Sequence, residues 1–250
     1  MSDTTLTGCT SIVTGASRGF GRATAVALAA LGADVVGVAR DQVALEDLQE
    51  QLGDCFTPVI ADVADDSLPA RLIATHRPDL LVLNAGATPH AGTLTDQTWD
   101  TFGANWNVDV RHVFAFARAA LIEPLPSGST VISVSSGAAR HGSPMSGGYA
   151  GAKATIKFIS AYAGTQSARE SLGIRFIAVL PKLTPATTLG STFVDAYADF
   201  SHIDRLTYRD QLGAALTTNR FADTVVALAT DPRLSAPAYA ISADGLIELE

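Results

Sequence analysis

Cysteine is scarce in this chain of 250 residues: Cys9 and Cys55 are the only two, and they form no Cys-x-x-Cys pair. None of the five histidines (76, 90, 112, 141 and 202) stands at metal-ligand spacing to another. Both shortages argue against a disulfide scaffold or a zinc site, and the thiols suit buried positions in a reducing compartment. Positive charge is also short, with 17 Lys and Arg against 25 Asp and Glu and a net charge of -8. That balance disfavours nucleic acid or an anionic membrane as a general partner, although one anionic cofactor needs only local positive charge. No apolar run reaches the roughly 18 residues of a membrane span. The first residues, Met-Ser-Asp-Thr-Thr-Leu-Thr, lack the basic and apolar regions of a signal peptide, so the expectation is a cytoplasmic protein. Internal repeats, low-complexity segments and interdomain linkers are absent as well.

What the chain has is apolar residue in the right rhythm. It is 47% hydrophobic and 17% charged, enough to fill a large core. Short apolar runs at 11–13, 34–39, 56–60, 79–83, 130–134, 175–180 and 238–242 read as strands. Helical spacing fills the intervals, from Gly21, over 42–52, from Ser67 through Ala74, over 96–123, from Tyr149 to Ser171, and from Phe221 to Thr230. Strands alternating with helices imply right-handed parallel βαβ units. Near-continuous apolar strands imply helices on both faces of the sheet. The reading is α/β: one doubly wound, Rossmann-like parallel sheet forming a single domain, with its ligand crevice beyond the carboxyl ends of the strands.

Two stretches carry chemistry. Gly15, Gly19 and Gly21 lie between the first strand and the first helix, so backbone N–H groups and a helix N-terminus can approach a diphosphate. Their spacing, G-x-x-x-G-x-G, differs from the commoner G-x-G-x-x-G. Tyr149 and Lys153 stand four apart on one helix face, and an ammonium beside a phenol favours the phenolate, which makes Tyr149 a general acid/base. Ser136, at the end of the fifth strand, is placed to hydrogen-bond a substrate oxygen.

With Thr14-Gly15-Ala16-Ser17-Arg18-Gly19-Phe20-Gly21, Asp62-Val63, Asn84-Ala85-Gly86, Ser136 and Tyr149-Ala150-Gly151-Ala152-Lys153 in this order, the chain resembles a short-chain dehydrogenase/reductase over essentially its whole length. The resemblance implies about seven strands and nicotinamide-dependent chemistry at a carbonyl or secondary alcohol, with Ser136, Tyr149, Lys153 and the residue at 109 as the catalytic set. It places Gly15, Ser17, Arg18, Gly19, Phe20, Gly21, Arg40, Asp62, Val63, Asn84, Ala85, Gly86, Val134, Pro181, Lys182 and Thr184 around the cofactor, together with Tyr149 and Lys153. Asp62 and Val63 are then expected at the adenine, Asn84 and Gly86 behind its ribose, and Val134 at the nicotinamide. It further implies a homotetramer or homodimer acting on a small molecule. Strand two ends Val38-Ala39-Arg40, with no acid at Ala39, and Arg18 stands in the glycine-rich turn, so NADP(H) is the expected cofactor.

Two positions depart from the family. Its usual catalytic asparagine is replaced by Asp109; Asn107 lies about 200° round a regular helix from that place and serves only if the helix is distorted. The usual Pro-Gly after strand six reads Pro181-Lys182, where a cation either attracts an anionic substrate or touches the cofactor diphosphate. The stretch 182–218 breaks the alternation and is read as a substrate-loop insertion. Its Phe193, Tyr197 and Phe200 point either to a bulky apolar substrate or to the inner face of a packed helix. A protein that binds NADP(H) as a regulator without turnover is the alternative, which incubation with NADPH and a panel of ketones separates; a sugar-nucleotide epimerase needs a second domain for which the chain has no room.

Overall fold

Apolar runs become strands where both faces are covered. In the computed structural model, which describes residues 5–249, these are Thr10–Thr14 (β1), Asp34–Ala39 (β2), Phe56–Ile60 (β3), Leu80–Leu83 (β4), Thr130–Val134 (β5), Arg175–Pro181 (β6), Ala238–Ser242 (β7) and Gly245–Leu249 (β8). They form one sheet in the order β3-β2-β1-β4-β5-β6-β7-β8. The first seven run parallel, while β8 folds back antiparallel on β7 from the pair Ser242 and Gly245. The eighth strand escapes the sequence reading because it is a half-exposed edge of five residues without a clean alternation.

Among the described residues ten α-helices accompany the strands: Gly19–Ala30 (α1), Gln42–Leu52 (α2), Leu68–His76 (α3), Trp99–Asn105 (α4), Arg111–Ile122 (α5), Ala138–His141 (α6), Gly147–Arg169 (α7), Thr188–Ser201 (α8), Arg205–Leu212 (α9) and Thr218–Thr230 (α10). Neighbouring strand residues point to opposite faces, and the core divides accordingly. Val13, Val35, Val82 and Val179 pack under α1, α2 and α10 through Leu28, Leu48 and Phe221. Ile12, Val36, Leu81 and Val131 pack under α3, α5 and α7 through Leu72, Phe116 and Ile156. Ser67 precedes α3 as expected but gives its helix no side-chain cap; its own hydroxyl and N–H donate to Asp65 instead. Among the described residues no helix is long and apolar enough to cross a membrane.

The expected helical region at 96–123 is three pieces. Between α4 and α5, Trp106–Val110 forms a π turn, wider than an α-helix. The region 182–218, irregular by sequence, holds α8 and α9. Phe193 is buried on the inner face of α8 and Tyr197 half-buried, but Phe200 is 44% exposed and does not belong to that face.

One polar group in the second core has a thermodynamic signature. His112, in the first turn of α5, is fully buried edge-on to Phe116, and neither ring nitrogen has a well-aligned hydrogen-bond partner. Burial first, and the nearby Lys153 ammonium second, push the imidazole down from 6.5 to about 3, with only a weak opposing pull from the Ala85 backbone. The folded chain therefore resists protonating a group that the unfolded chain protonates below about 6.5. Stability from His112 is complete above that pH and is lost as pH falls toward 3, by about 2–3 kcal/mol at pH 4.5. His112→Gln is expected to remove this loss. Urea midpoints at pH 7 and 4.5 check it: the drop in the variant is smaller than in the wild type, and an equal drop would show that His112 is not the group responsible.

Candidate active site

The glycine-rich turn is built by close approach. Gly15 has φ +69°, and a Cβ there would lie 2.8 Å from Asn84 Nδ2; at Gly21 it would lie 2.2 Å from the Gly15 carbonyl oxygen. Only glycine lets α1 start this near the end of β1. Thr14 joins the ends of β1 and β4: its hydroxyl donates to the Val82 carbonyl and accepts from the Asn84 and Ala85 N–H groups. The Asn84 amide donates to the Thr14 carbonyl at 3.1 Å, so its side chain braces the turn. Phe20 stacks on Phe221 of α10 with centroids 4.1 Å apart, which leaves its backbone as the part facing the crevice mouth. No side chain caps α1, and its first turn carries no acid. The uncapped N–H groups and the glycine cradle fit an anionic diphosphate. Ser17 is half-buried within that turn.

Lys153 is the centre of the opposite side. Its ammonium lies 3.0 Å from the Val134 carbonyl, 3.1 Å from Asp109 and 5.5 Å from the Tyr149 ring centroid. The Lys153 side chain is 6% exposed and that of Asp109 1%. Burial opposes the charged ammonium, but Asp109 first and Tyr149 second outweigh it, holding Lys153 above the ordinary lysine range. Asp109 also accepts the Ala87 N–H at 2.8 Å and crowds Gly86, where a Cβ would come within 2.8 Å of its carboxylate. Asn107 is exposed; the π turn carries Asp109, not Asn107, to the lysine.

Asn105, which the sequence reading passed over, is buried beside this pair, donating to the Ala87 carbonyl at 2.9 Å and lying 3.4 Å from both Asp109 oxygens. The only signal available was its i, i+4 spacing to Asp109, in a stretch that also carries Asp100, Thr101 and Asn107. Ser135 and Ser136 divide the end of β5. Ser135 is buried and donates to the Lys153 carbonyl at 2.6 Å, whereas Ser136 is half-buried on the crevice side and accepts the Ala138 N–H at 3.2 Å.

The remaining positions are dispersed. Arg18 is exposed at the glycine-rich turn. Arg40, past β2, lies 3.7 Å from Asp62, past β3, and both are largely exposed. Val63 is buried in the second core. Pro181 accepts the Gly137 N–H at 2.9 Å, holding the Ser136 loop to β6. Lys182 is exposed and donates to the Leu212 carbonyl at 2.7 Å, at the carboxyl end of α9. Thr184 is buried and donates to the Leu216 carbonyl at 2.8 Å. Among the described residues no cluster of His, Cys, Asp or Glu could hold a metal.

Comparison with known proteins agrees with this geometry. A family model described as Enoyl-(Acyl carrier protein) reductase matches residues 15–245. An uncharacterised short-chain type dehydrogenase/reductase of Sinorhizobium fredii is 35% identical over 152 residues, which is 60% of this chain and 60% of that protein's own length. A 2-keto-3-deoxy-L-fuconate dehydrogenase of Xanthomonas campestris is 27% identical over 232 residues, 92% of this chain and 76% of the relative. The crystal structure of a 3-ketoacyl-(acyl-carrier-protein) reductase from Brucella melitensis, complexed with NADH, superposes with a TM-score of 0.78 at 23% identity, covering 96% of this chain and 98% of that one. Taken with the glycine cradle at the head of α1 and the Tyr149–Lys153 pair on α7, the match over residues 15–245 shows that the chain belongs to the short-chain dehydrogenase/reductase family of oxidoreductases.

Proposed function

We propose that the chain is a cytoplasmic enzyme that transfers hydride between NADP(H) and a carbonyl or secondary alcohol, with Tyr149 as the general acid/base. The observation that carries this reading is the buried Lys153 ammonium, fixed by Asp109 and Val134 against the Tyr149 ring. Bound in the crevice, the nicotinamide supplies the hydride; position and proton transfer fall to the protein. In reduction, the Tyr149 hydroxyl gives its proton to the substrate oxygen as that oxygen gains negative charge. The Lys153 ammonium stabilises the phenolate left behind. Ser136 donates a hydrogen bond to the same oxygen and holds it against Tyr149. Oxidation runs the same path backwards. With the cofactor bound, Gly15, Ser17, Gly19, Phe20 and Gly21 would hold the diphosphate by backbone, Asp62 and Val63 would contact the adenine, Asn84, Ala85 and Gly86 would stand behind its ribose, and Val134, Pro181, Lys182 and Thr184 would lie toward the nicotinamide end.

The NADP(H) preference rests on Arg18 and Arg40. The exposed Arg40–Asp62 pair is worth under about 1 kcal/mol, weak enough for Arg40 to turn onto a 2′-phosphate. The substrate is read as a bulky, largely apolar ketone or alcohol, from the half-buried Tyr197 and Tyr208 in the segment that follows β6. Phe114 and Ile122 on α5 and Phe158 and Tyr162 on α7 are more than half exposed; such apolar surface supports a homodimer or homotetramer.

Three outcomes test this reading. Tyr149→Phe is expected to lower turnover of a ketone by about 10²- to 10⁴-fold while NADPH still binds; a variant keeping more than about a tenth of the rate would remove Tyr149 from its role. Arg40→Ala is expected to lower kcat/KM with NADPH and leave NADH little changed, so an unaltered preference would overturn the assignment of the cofactor. In Asp109→Asn the desolvated Lys153 loses its main stabilising charge, and its ammonium deprotonates more readily. The alkaline limb of kcat/KM for ketone reduction therefore moves to lower pH, with turnover retained; an unshifted limb would show that Asp109 does not govern the lysine.

A further inference from the structure

The catalytic tyrosine stands in the first turn of α7, and that turn is held from two directions. From one side Trp106 donates its indole N–H to the Gly148 carbonyl at 3.2 Å. The α4 backbone approaches so closely that a Cβ on Gly148 would lie 2.2 Å from the Phe102 carbonyl oxygen. From the other side comes a chain of hydroxyls. Tyr197, on α8, hydrogen-bonds Ser143, and Ser143 lies 2.7 Å from the hydroxyl of the buried Ser146. Ser146 is the last residue before α7, and its carbonyl accepts the Ala150 N–H at 2.9 Å. Residues 143 and 146 lie on the stretch between Ser136 and Tyr149, so the chain of hydroxyls reaches between the two.

The far end of that chain is well supported. The Tyr197 ring stacks on Tyr208 of α9, with centroids 6.3 Å apart and planes within 11°, and meets Phe193 at 6.1 Å. Asp195, two residues before Tyr197, lies 3.6 Å from both Arg205 and Arg209. Helices α8 and α9 therefore form one aromatic and ionic unit with a single hydroxyl directed at the catalytic loop.

We propose that Tyr197 is a positioning residue: through Ser143 and Ser146 it couples the placement of the α8–α9 unit to the placement of Tyr149. The coupling rests on the proposed carbonyl chemistry only for its effect on turnover; its mechanical part does not. With the hydroxyl chain intact, a substrate seated under α8 and the tyrosine that protonates it are fixed by the same contacts. With the chain cut, α8–α9 loosens and the first turn of α7 keeps only its Trp106 and Phe102 support.

Tyr197→Phe preserves the stacked ring and deletes the hydroxyl, and Ser143→Ala cuts the same chain one link on. Hydrogen exchange in the free protein is expected to quicken in both variants over both 188–201 and 142–150, and the double variant is expected to add nothing beyond the stronger single one. With NADPH and acetophenone as probe, kcat is expected to fall about three- to tenfold, the scale of one lost neutral hydrogen bond, with KM for NADPH within about twofold. Exchange that quickens only in 188–201, or in neither segment, overturns the coupling, as do single effects that add in full. If exchange behaves as expected but the wild type reduces no ketone, the coupling stands and the proposed activity falls.

Discussion

An ammonium group removed from water must be neutralised by the protein that buries it, and the neighbourhood of Lys153 is arranged to do so. The Val134 carbonyl at the end of β5 takes one N–H, and Asp109 supplies the opposite charge. Asp109 in turn needs the Ala87 N–H and the nearby Asn105 amide, and it leaves no room for a side chain at residue 86. A buried ion pair is weak evidence for stability, because desolvation cancels most of the Coulomb gain and an apolar pair of equal volume does as well. Because the Lys153 value is raised, the stability that its ammonium contributes is present below the usual lysine range and is lost as pH rises through the folded value. What the pair does supply is a fixed positive charge beside a phenol.

The two halves of the crevice are joined beneath that charge. Thr14 ties the end of β1 to the end of β4, and the Asn84 side chain closes the same joint from the other direction. A polar threonine with no exposure, in the strand before the glycine-rich turn, is thus a spacer that sets how far the cradle stands from the Ala85–Ala87 backbone. That backbone also meets Asp109. The cradle, the turn at 84–87 and Lys153 are thus linked in series through Thr14, Asn84 and Asp109.

Much of this was legible in the chain. The seven parallel strands follow from apolar runs that need cover on both faces, and the spacing of Tyr149 and Lys153 places them on one helix face. The distance between Asp109 and Lys153 was not legible, since it depends on the π turn at 106–110, and hydrophobic spacing does not report one extra residue in a turn. The surroundings of residue 182 were hidden for a different reason. Its side chain meets a carbonyl at Leu212, thirty residues away, and no local pattern announces that. Strand β8 was missed because its edge position asks for no alternation; in 182–218 the packed helix offered by Phe193 and Tyr197 is α8, whereas α9, with no buried residue, left no apolar pattern to read.

The contacts at the base of that last segment have a consequence for how the molecule can vary. The Lys182 N–H still bonds the Ile241 carbonyl of β7, while its side chain holds Leu212, and Thr184 holds Leu216. Residues 183–211 therefore form a closed loop whose two ends are pinned to the sheet independently of what lies between them. For a loop already closed, the entropic cost of greater length grows only logarithmically, by about 0.6 kcal/mol for each doubling. The sheet is thus insulated from the length of this segment, whose content is tied to the rest chiefly where Tyr197 meets Ser143. A lineage can lengthen or shorten α8 and α9 at little cost, provided that one contact is kept.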